Sequence, residues 1–175
     1  MREYILYKIG MANTVVFLTE KQEALRAIPH SKNGKAVSPR RTHDSWIAVG
    51  YLKSTAYDMT QYIMANLGQA AKVSNQLQRA IILAHRRHRT AYNSGGRTYN
   101  MGLAWTYGRS IHGTNNPILF QDGVTPGYVS SLVLSHHLNA GIIVLSNHYR
   151  ESGETGIVNP FELAILLLNV IRDNQ

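Results

Sequence analysis

Gln121-Asp122-Gly123 stand at the lip of an expected strand and open the segment "QDGVTPGYVSS", in which Pro126 and Gly127 follow. A hairpin tip accounts for the glycines and the proline. It does not account for two hydrogen-bonding side chains ahead of the first glycine, so the segment is a turn or a binding edge. Other groupings are weaker. Thr42-His43-Asp44-Ser45 contains the residue types of a hydrolytic triad, but neighbours in sequence cannot reach its relay geometry. His85 with His88, and His136 with His137, suggest a metal by residue type. The first pair lies among arginines, which repel a cation, and strand neighbours at 136 and 137 would face apart. Neither a metal nor a cofactor is expected.

Composition narrows the classes. With 175 residues, 44% of them hydrophobic, the chain suits a single domain over residues 1–175. No cysteine is present, which removes disulfides, zinc–thiolate sites and a cysteine nucleophile. The N-terminal stretch lacks an uninterrupted apolar core and a small-residue cleavage site, so no signal peptide is expected. No apolar run reaches the ~18 residues of a membrane span. The net charge of +8 favours anionic partners without choosing among them. Its densest cluster, "HRRHR" (85–89), falls at the end of a helix-like segment, where positive charge complements the helix dipole. Nucleic acid is therefore not the expected partner.

The elements that would position these residues follow from pattern. Residues 26–45 are polar with two prolines and read as a surface excursion. A helix opens at Ser54 or Thr55, with Asp58 at capping-box spacing, and its stripe of Met59, Ile63 and Leu67 ends at Gly68. A second spans about 74–87, with Leu77, Ile81 and Ala84 on one face. Strands are expected at "GLAWTYG", "PILFQ", "YVSSLVLS" and "GIIVLSN", the last continuously apolar and so central, covered on both faces. A final helix takes Asn159 as cap and Pro160 at its first position. It is apolar nearly all round and so expected to be buried. Tyr51, Trp105 and Tyr107 read equally as core or cleft wall. The class is α+β, an antiparallel sheet with a buried C-terminal helix and a helical segment.

In order along the chain, "IGMANT", "GYLKSTAYDMTQYIMANLG", "LQRAIILAH", "MGLAWTYG", "DGVTPGYVSSLVL" and "GIIVLSN" resemble the class C β-lactamases and the related penicillin-binding DD-peptidases and esterases. The resemblance covers nearly the whole chain but only the C-terminal half of that family's domain. It implies a serine hydrolase acting on β-lactams, esters or peptides, in a family typically working outside the bacterial cytoplasm. The family's Ser-x-x-Lys and Tyr-x-Asn motifs would lie before "IGMANT". No serine here is followed by lysine three residues later; Ser38 has Arg41, which stays protonated. Ser31-Lys32-Asn33 matches Ser-x-Asn only in a polar loop.

The resemblance also assigns roles. Gln121 stands where the family has Lys or His, Asp122 where it often has Thr, and Gly123 is kept. The Val124 amide would supply one oxyanion-hole donor. Asn147 stands where the family often has an asparagine near the carboxylate subsite, although an amide closing a strand end is an equal reading. Gln121 is neutral and Asp122 is acidic, so a β-lactam carboxylate would meet a like charge; at ~4 Å and an effective dielectric near 20 the repulsion is about 4 kcal/mol. Three readings remain open: a truncated or split hydrolase, inactive alone; an active hydrolase with another nucleophile; and a non-catalytic module whose basic surface meets an anionic partner. The first is favoured, because a serine without its neighbouring base is not activated. Its expected partners are the missing N-terminal half or a second copy, with a β-lactam or peptide-like small molecule once completed.

Overall fold

Alternating apolar and polar residues drive most of the second half of the chain into strands that turn back on their neighbours. In the computed structural model, residues 1–39, 50–92, 98–110, 116–148 and 159–174 are described. The strands are β1 (Arg89–Tyr92), β2 (Thr98–Met101), β3 (Thr106–Ser110), β4 (Pro117–Thr125), β5 (Tyr128–Ser135) and β6 (Ala140–Ser146). They form one antiparallel sheet in the order β1-β2-β3-β4-β5-β6. The helices are α1 (Glu20–Ala24), α2 (Ala56–Asn66), α3 (Asn75–His85) and α4 (Pro160–Asp173), preceded by helical turns at Arg2–Leu6 and Tyr7–Ile9. None is long and apolar enough to cross a membrane.

Helix ends fall where local chemistry puts them. The Thr55 side chain accepts from the Asp58 amide and the Ser74 side chain from the Leu77 amide. Asn159 and Glu162 make a reciprocal capping box around Pro160. Each cap satisfies a backbone donor that the helix cannot.

Both sheet faces are covered. On one, Ala164 and Leu168 of α4 pack against Ile118, Val133 and Leu138. On the other, Ile63 of α2 packs with Trp105, Leu119, Leu132 and Leu134. A third cluster sets Leu6, Ile9 and Met11 against Ala65. It is locked by Asp58, fully buried, which accepts hydrogen bonds from the Asn13 amide and the Thr14 hydroxyl.

Several expectations are corrected. "GIIVLSN" is covered on both faces, by α2 and α4, yet among the described residues β6 is an edge strand of the sheet. Cover by two helices gives the same apolar run as a central position does, so hydropathy cannot separate them. α4 is not buried all round: Leu163, Leu166, Leu167 and Val170 are exposed along one flank. The second helix stops at His85, and Arg89 already belongs to β1. β1 and β2 were not expected at all, being short and polar, with β1 at the sheet edge and β2 next to it. "GLAWTYG" becomes a strand only from Thr106, because a turn at Ala104, with φ of 58°, precedes it. Thr42, His43, Asp44 and Ser45 lie outside the described residues.

Candidate functional site

The register of β4 explains why its second half is available to a ligand. β5 accompanies β4 throughout, from Leu119↔Leu134 to Thr125↔Tyr128. β3 pairs with it only through Phe120, at Thr106↔Phe120. Residues 121–125 therefore retain one strand neighbour among the described residues, and their other backbone edge is left for something else. Val124 sits in this stretch with its side chain 60% exposed. An outward amide at this position has the chemistry of an oxyanion donor whatever its side chain.

The two-residue period of a strand then separates the side chains. Leu119 packs on the α2 side and Phe120 on the α4 side, where it meets the Phe161 ring. Gln121 and Asp122 continue that alternation. Gln121 donates from Nε2 to the Ala104 carbonyl, so its amide fastens the turn that leads into β3. Asp122 accepts from the Ser131 hydroxyl at 2.6 Å, across the sheet pair Asp122↔Ser131. Lost hydration pushes the Asp122 carboxyl above the usual carboxylate range, and the Ser131 bond opposes that rise. Gln121 and Asp122 thus project from opposite faces, although the sequence reading placed both beside one bound carboxylate.

Gly123 has a packing reason of its own. A Cβ there would come within 2.7 Å of Ser130 Oγ on the paired strand. A side chain at this position would therefore require the Ser130 hydroxyl to turn away, so glycine lets the two strands keep this contact without that adjustment.

Asn147 follows β6 and uses its side chain within the fold. Its Nδ2 donates to the Ile28 carbonyl at 2.8 Å, and its own carbonyl accepts from the His30 amide at 2.8 Å. These bonds tie the 26–30 loop to the end of the sheet. The hairpin tip is fastened to the same loop: the Tyr128 hydroxyl donates to Ala27, and a Cβ at Gly127 would come within 2.4 Å of Pro29. Gln121, Asp122, Gly123 and Val124 are contiguous on β4, whereas Asn147 joins them only through the strand order β4-β5-β6.

A second polar cluster lies at the other end of the sheet. His136 and His137 occupy the turn after β5 rather than a strand, which corrects the assumption that they alternate across one. His136 Nε2 lies 3.0 Å from His85 Nδ1, and His85 Nε2 lies 2.9 Å from Asn66 Oδ1. The Trp105 ring meets His85 edge-on at 5.0 Å, and the Tyr107 hydroxyl donates to the His85 carbonyl. Burial, with the His136 charge second, depresses the His85 pKa to about 4; burial also lowers that of His136. Nothing in the sequence brings residues 66, 85 and 136 together. The only trace is that Asn66 and His85 each end a helix and His136 follows a strand, so all three sit at element boundaries. Among the described residues no three of His, Cys, Asp and Glu group closely enough to hold a metal ion by themselves.

The comparisons with known proteins bear on both faces of this architecture. The family model described as Beta-lactamase matches residues 1–166. No curated protein matches. Solved structures share the fold at low identity. A D-alanine carboxypeptidase AmpC from Burkholderia cenocepacia is 19% identical, with a TM-score of 0.75 over 100% of this chain and 54% of that one. A β-lactamase from Sulfitobacter sp. EE-36 is 17% identical, with a TM-score of 0.77 over 98% and 52%. A class C β-lactamase from Rhodobacter sphaeroides is 14% identical, with a TM-score of 0.74 over 99% and 52%. The chain spans about half the length of these solved structures.

Proposed function

The chain belongs to the β-lactamase family, and from that premise we propose that it is the sheet-bearing half of a serine hydrolase, inactive alone. In this reading the full catalyst acylates a serine with a β-lactam, ester or peptide and then hydrolyses the acyl-enzyme. The serine and its neighbouring base come from a second segment, and this chain supplies the substrate-binding edge. The whole of residues 1–175 acts as one domain in that arrangement.

The observation that carries the reading is the uncovered side of the sheet. Among the described residues β6 has a strand neighbour on one side only, and the α4 flank of Leu163, Leu166, Leu167 and Val170 is exposed. An edge strand and an apolar helix flank are surfaces that a completing segment covers. At the other functional surface, residues 121–125 offer a backbone edge and the Val124 amide. Among the sequence motifs, the absence of Ser-x-x-Lys leaves no serine with an adjacent lysine base.

Gln121 supplies no cation for a substrate carboxylate, and its amide is engaged with Ala104. Asn147 acts in this reading through the loop it anchors, by keeping the Ile28 carbonyl and the end of β6 in place. A neutral or uncharged ester or peptide therefore suits the edge better than a penicillin.

The purified chain is expected neither to hydrolyse nitrocefin nor to be labelled by a fluorescent penicillin. Intact-mass spectrometry after incubation with the penicillin decides the matter. A stoichiometric covalent adduct overturns the proposal and assigns a nucleophile within the chain.

A further inference from the structure

We infer that Asn66, His85 and His136 form an acid-sensitive latch, which holds the β5–β6 turn against the ends of α2 and α3 and opens when His85 takes a second ring proton. The latch lies apart from the substrate edge and does not depend on how that edge is used.

The hydrogen bonds fix where protons can go. Asn66 Nδ2 donates to the Tyr62 carbonyl at 2.8 Å, so its Oδ1 is the atom facing His85 Nε2 at 2.9 Å. Oδ1 only accepts, which places a proton on His85 Nε2 and a lone pair on Nδ1. His136 Nε2 then donates to that lone pair across 3.0 Å. One proton therefore occupies the space between the two rings. A first added proton goes to His136 Nδ1, and the imidazolium it makes still donates to His85. The next must sit on His85 Nδ1, where it meets the His136 proton head-on. Two N–H groups cannot point at each other across 3.0 Å, so this proton parts the rings.

The surroundings offer that charge no counterion. From α2 come Asn66 and Tyr62, whose ring stacks on Trp105. From β3 comes Tyr107, whose hydroxyl donates to the His85 carbonyl. Arg86 follows His85 at the end of α3, and His136 and His137 stand in the turn. His88 is turned instead to the Leu83 carbonyl at 2.8 Å. No carboxylate lines the cleft around the pair among the described residues. Burial first, and the His136 charge second, accordingly hold the His85 pKa down to about 4.

In the unfolded chain His85 takes its proton below about pH 6.5, in the folded chain only near 4. Between these values the unfolded chain binds the extra proton. The contribution of the latch is therefore complete above about pH 6.5 and is lost as pH falls towards 4. Its opening frees one side of the turn. Gln69 Nε2 also holds the Asn139 carbonyl from the helical side, but that bond is exposed and water can replace it. On the other face Leu138 stays packed with Ala164 and Leu168.

Imidazole and amide ¹H–¹⁵N spectra of the full chain, taken from neutral pH into acid, test the inference. His136 is expected to titrate first and His85 last, near pH 4, with the amides of 136–139 shifting in the His85 step. Titration of His85 near its ordinary value, or turn amides that ignore its step, overturns the latch. His85→Gln offers a donor to Asn66 and an acceptor to His136 yet takes no proton. In urea unfolding at about pH 7 and about pH 4.5, the folding constant of the unchanged chain is expected to fall about 10–100-fold more than that of this variant. His88→Gln is expected to behave like the unchanged chain. Equal falls in His85→Gln and the unchanged chain overturn the proposal. If His85→Gln lacks a cooperative transition, the spectra of the unchanged chain decide alone.

Discussion

The Thr14 hydroxyl donates to Asp58 Oδ2 at 2.7 Å, joining the start of the chain to the first turn of α2 across 44 positions. Asp58 also accepts from the Asn13 backbone amide at 2.9 Å and from its side chain at 3.3 Å. Thr14 is 1% exposed and Asp58 fully buried, so water cannot replace the bond between them. Asp58→Ala takes an acceptor from the buried Thr14 hydroxyl, which keeps Ser54 Oγ at 2.8 Å, and from exposed Asn13, which water can solvate, for an expected loss of about 1–3 kcal/mol. Asp58→Asn keeps one acceptor and is expected to lose less. Urea unfolding measures both; an unchanged midpoint for Asp58→Ala would make the network idle.

Asp122 gives a pH dependence whose sign follows from its raised pKa. Between the unfolded carboxyl value near 3.9 and the raised native one, the folded chain holds the proton and the unfolded chain does not. Stability from this group is therefore greatest in acid and falls as pH rises through the native pKa. Asp122→Asn keeps an acceptor for Ser131 and removes the partly desolvated charge. It is expected to raise Tm at pH 7 and to leave it nearly unchanged at pH 3. A lower Tm at pH 7 would show that the carboxylate is stabilised by something other than Ser131.

The uncovered surfaces predict association. β6 reads "AGIIVLS" without a charge, and α4 exposes Leu166 and Val170 at 52% and 57%. Strand edges and apolar flanks of this kind pair with one another when nothing else covers them. Size-exclusion chromatography with light scattering is expected to find oligomers or poorly soluble material, and Leu166→Glu with Val170→Glu to shift the chain towards monomer. A sharply melting monomer before any substitution would mean that the sheet is closed by the chain itself.

The basic surface predicts only loose anion binding. Arg86, Arg87 and Arg89 are exposed around the end of α3 and the start of β1. Contacts of that kind to phosphates release counterions and carry no base information. Fluorescence anisotropy with duplex DNA is expected to give weak binding that falls steeply with salt. Sequence-selective binding at physiological salt would instead assign this face a nucleic-acid partner.

Local chemistry made much of this molecule legible in the sequence. Thr55, Ser74 and Asn159 announce the starts of α2, α3 and α4 because a cap is satisfied within three residues of itself. β5 falls where a strand was expected, and the ordered motifs from "IGMANT" to "GIIVLSN" carried the family and the position of Gln121, Asp122 and Gly123. The opposite facing of Gln121 and Asp122 was also available, since adjacent strand residues always point apart.

What the tertiary structure alone decided concerns partners distant in the chain. An apolar run such as β6 has the same composition whether strands or helices cover it, so its place at the sheet edge depended on pairing that hydropathy does not encode. β1 and β2 are stabilised by one another and by β3 rather than by their own polar residues, which left them invisible as separate segments. Asn147 met the Ile28 carbonyl across 119 positions, and His85 met both Asn66 and His136. Residue type sets what each of these groups can donate or accept; only the closing of the sheet against its helices brings the partners within reach.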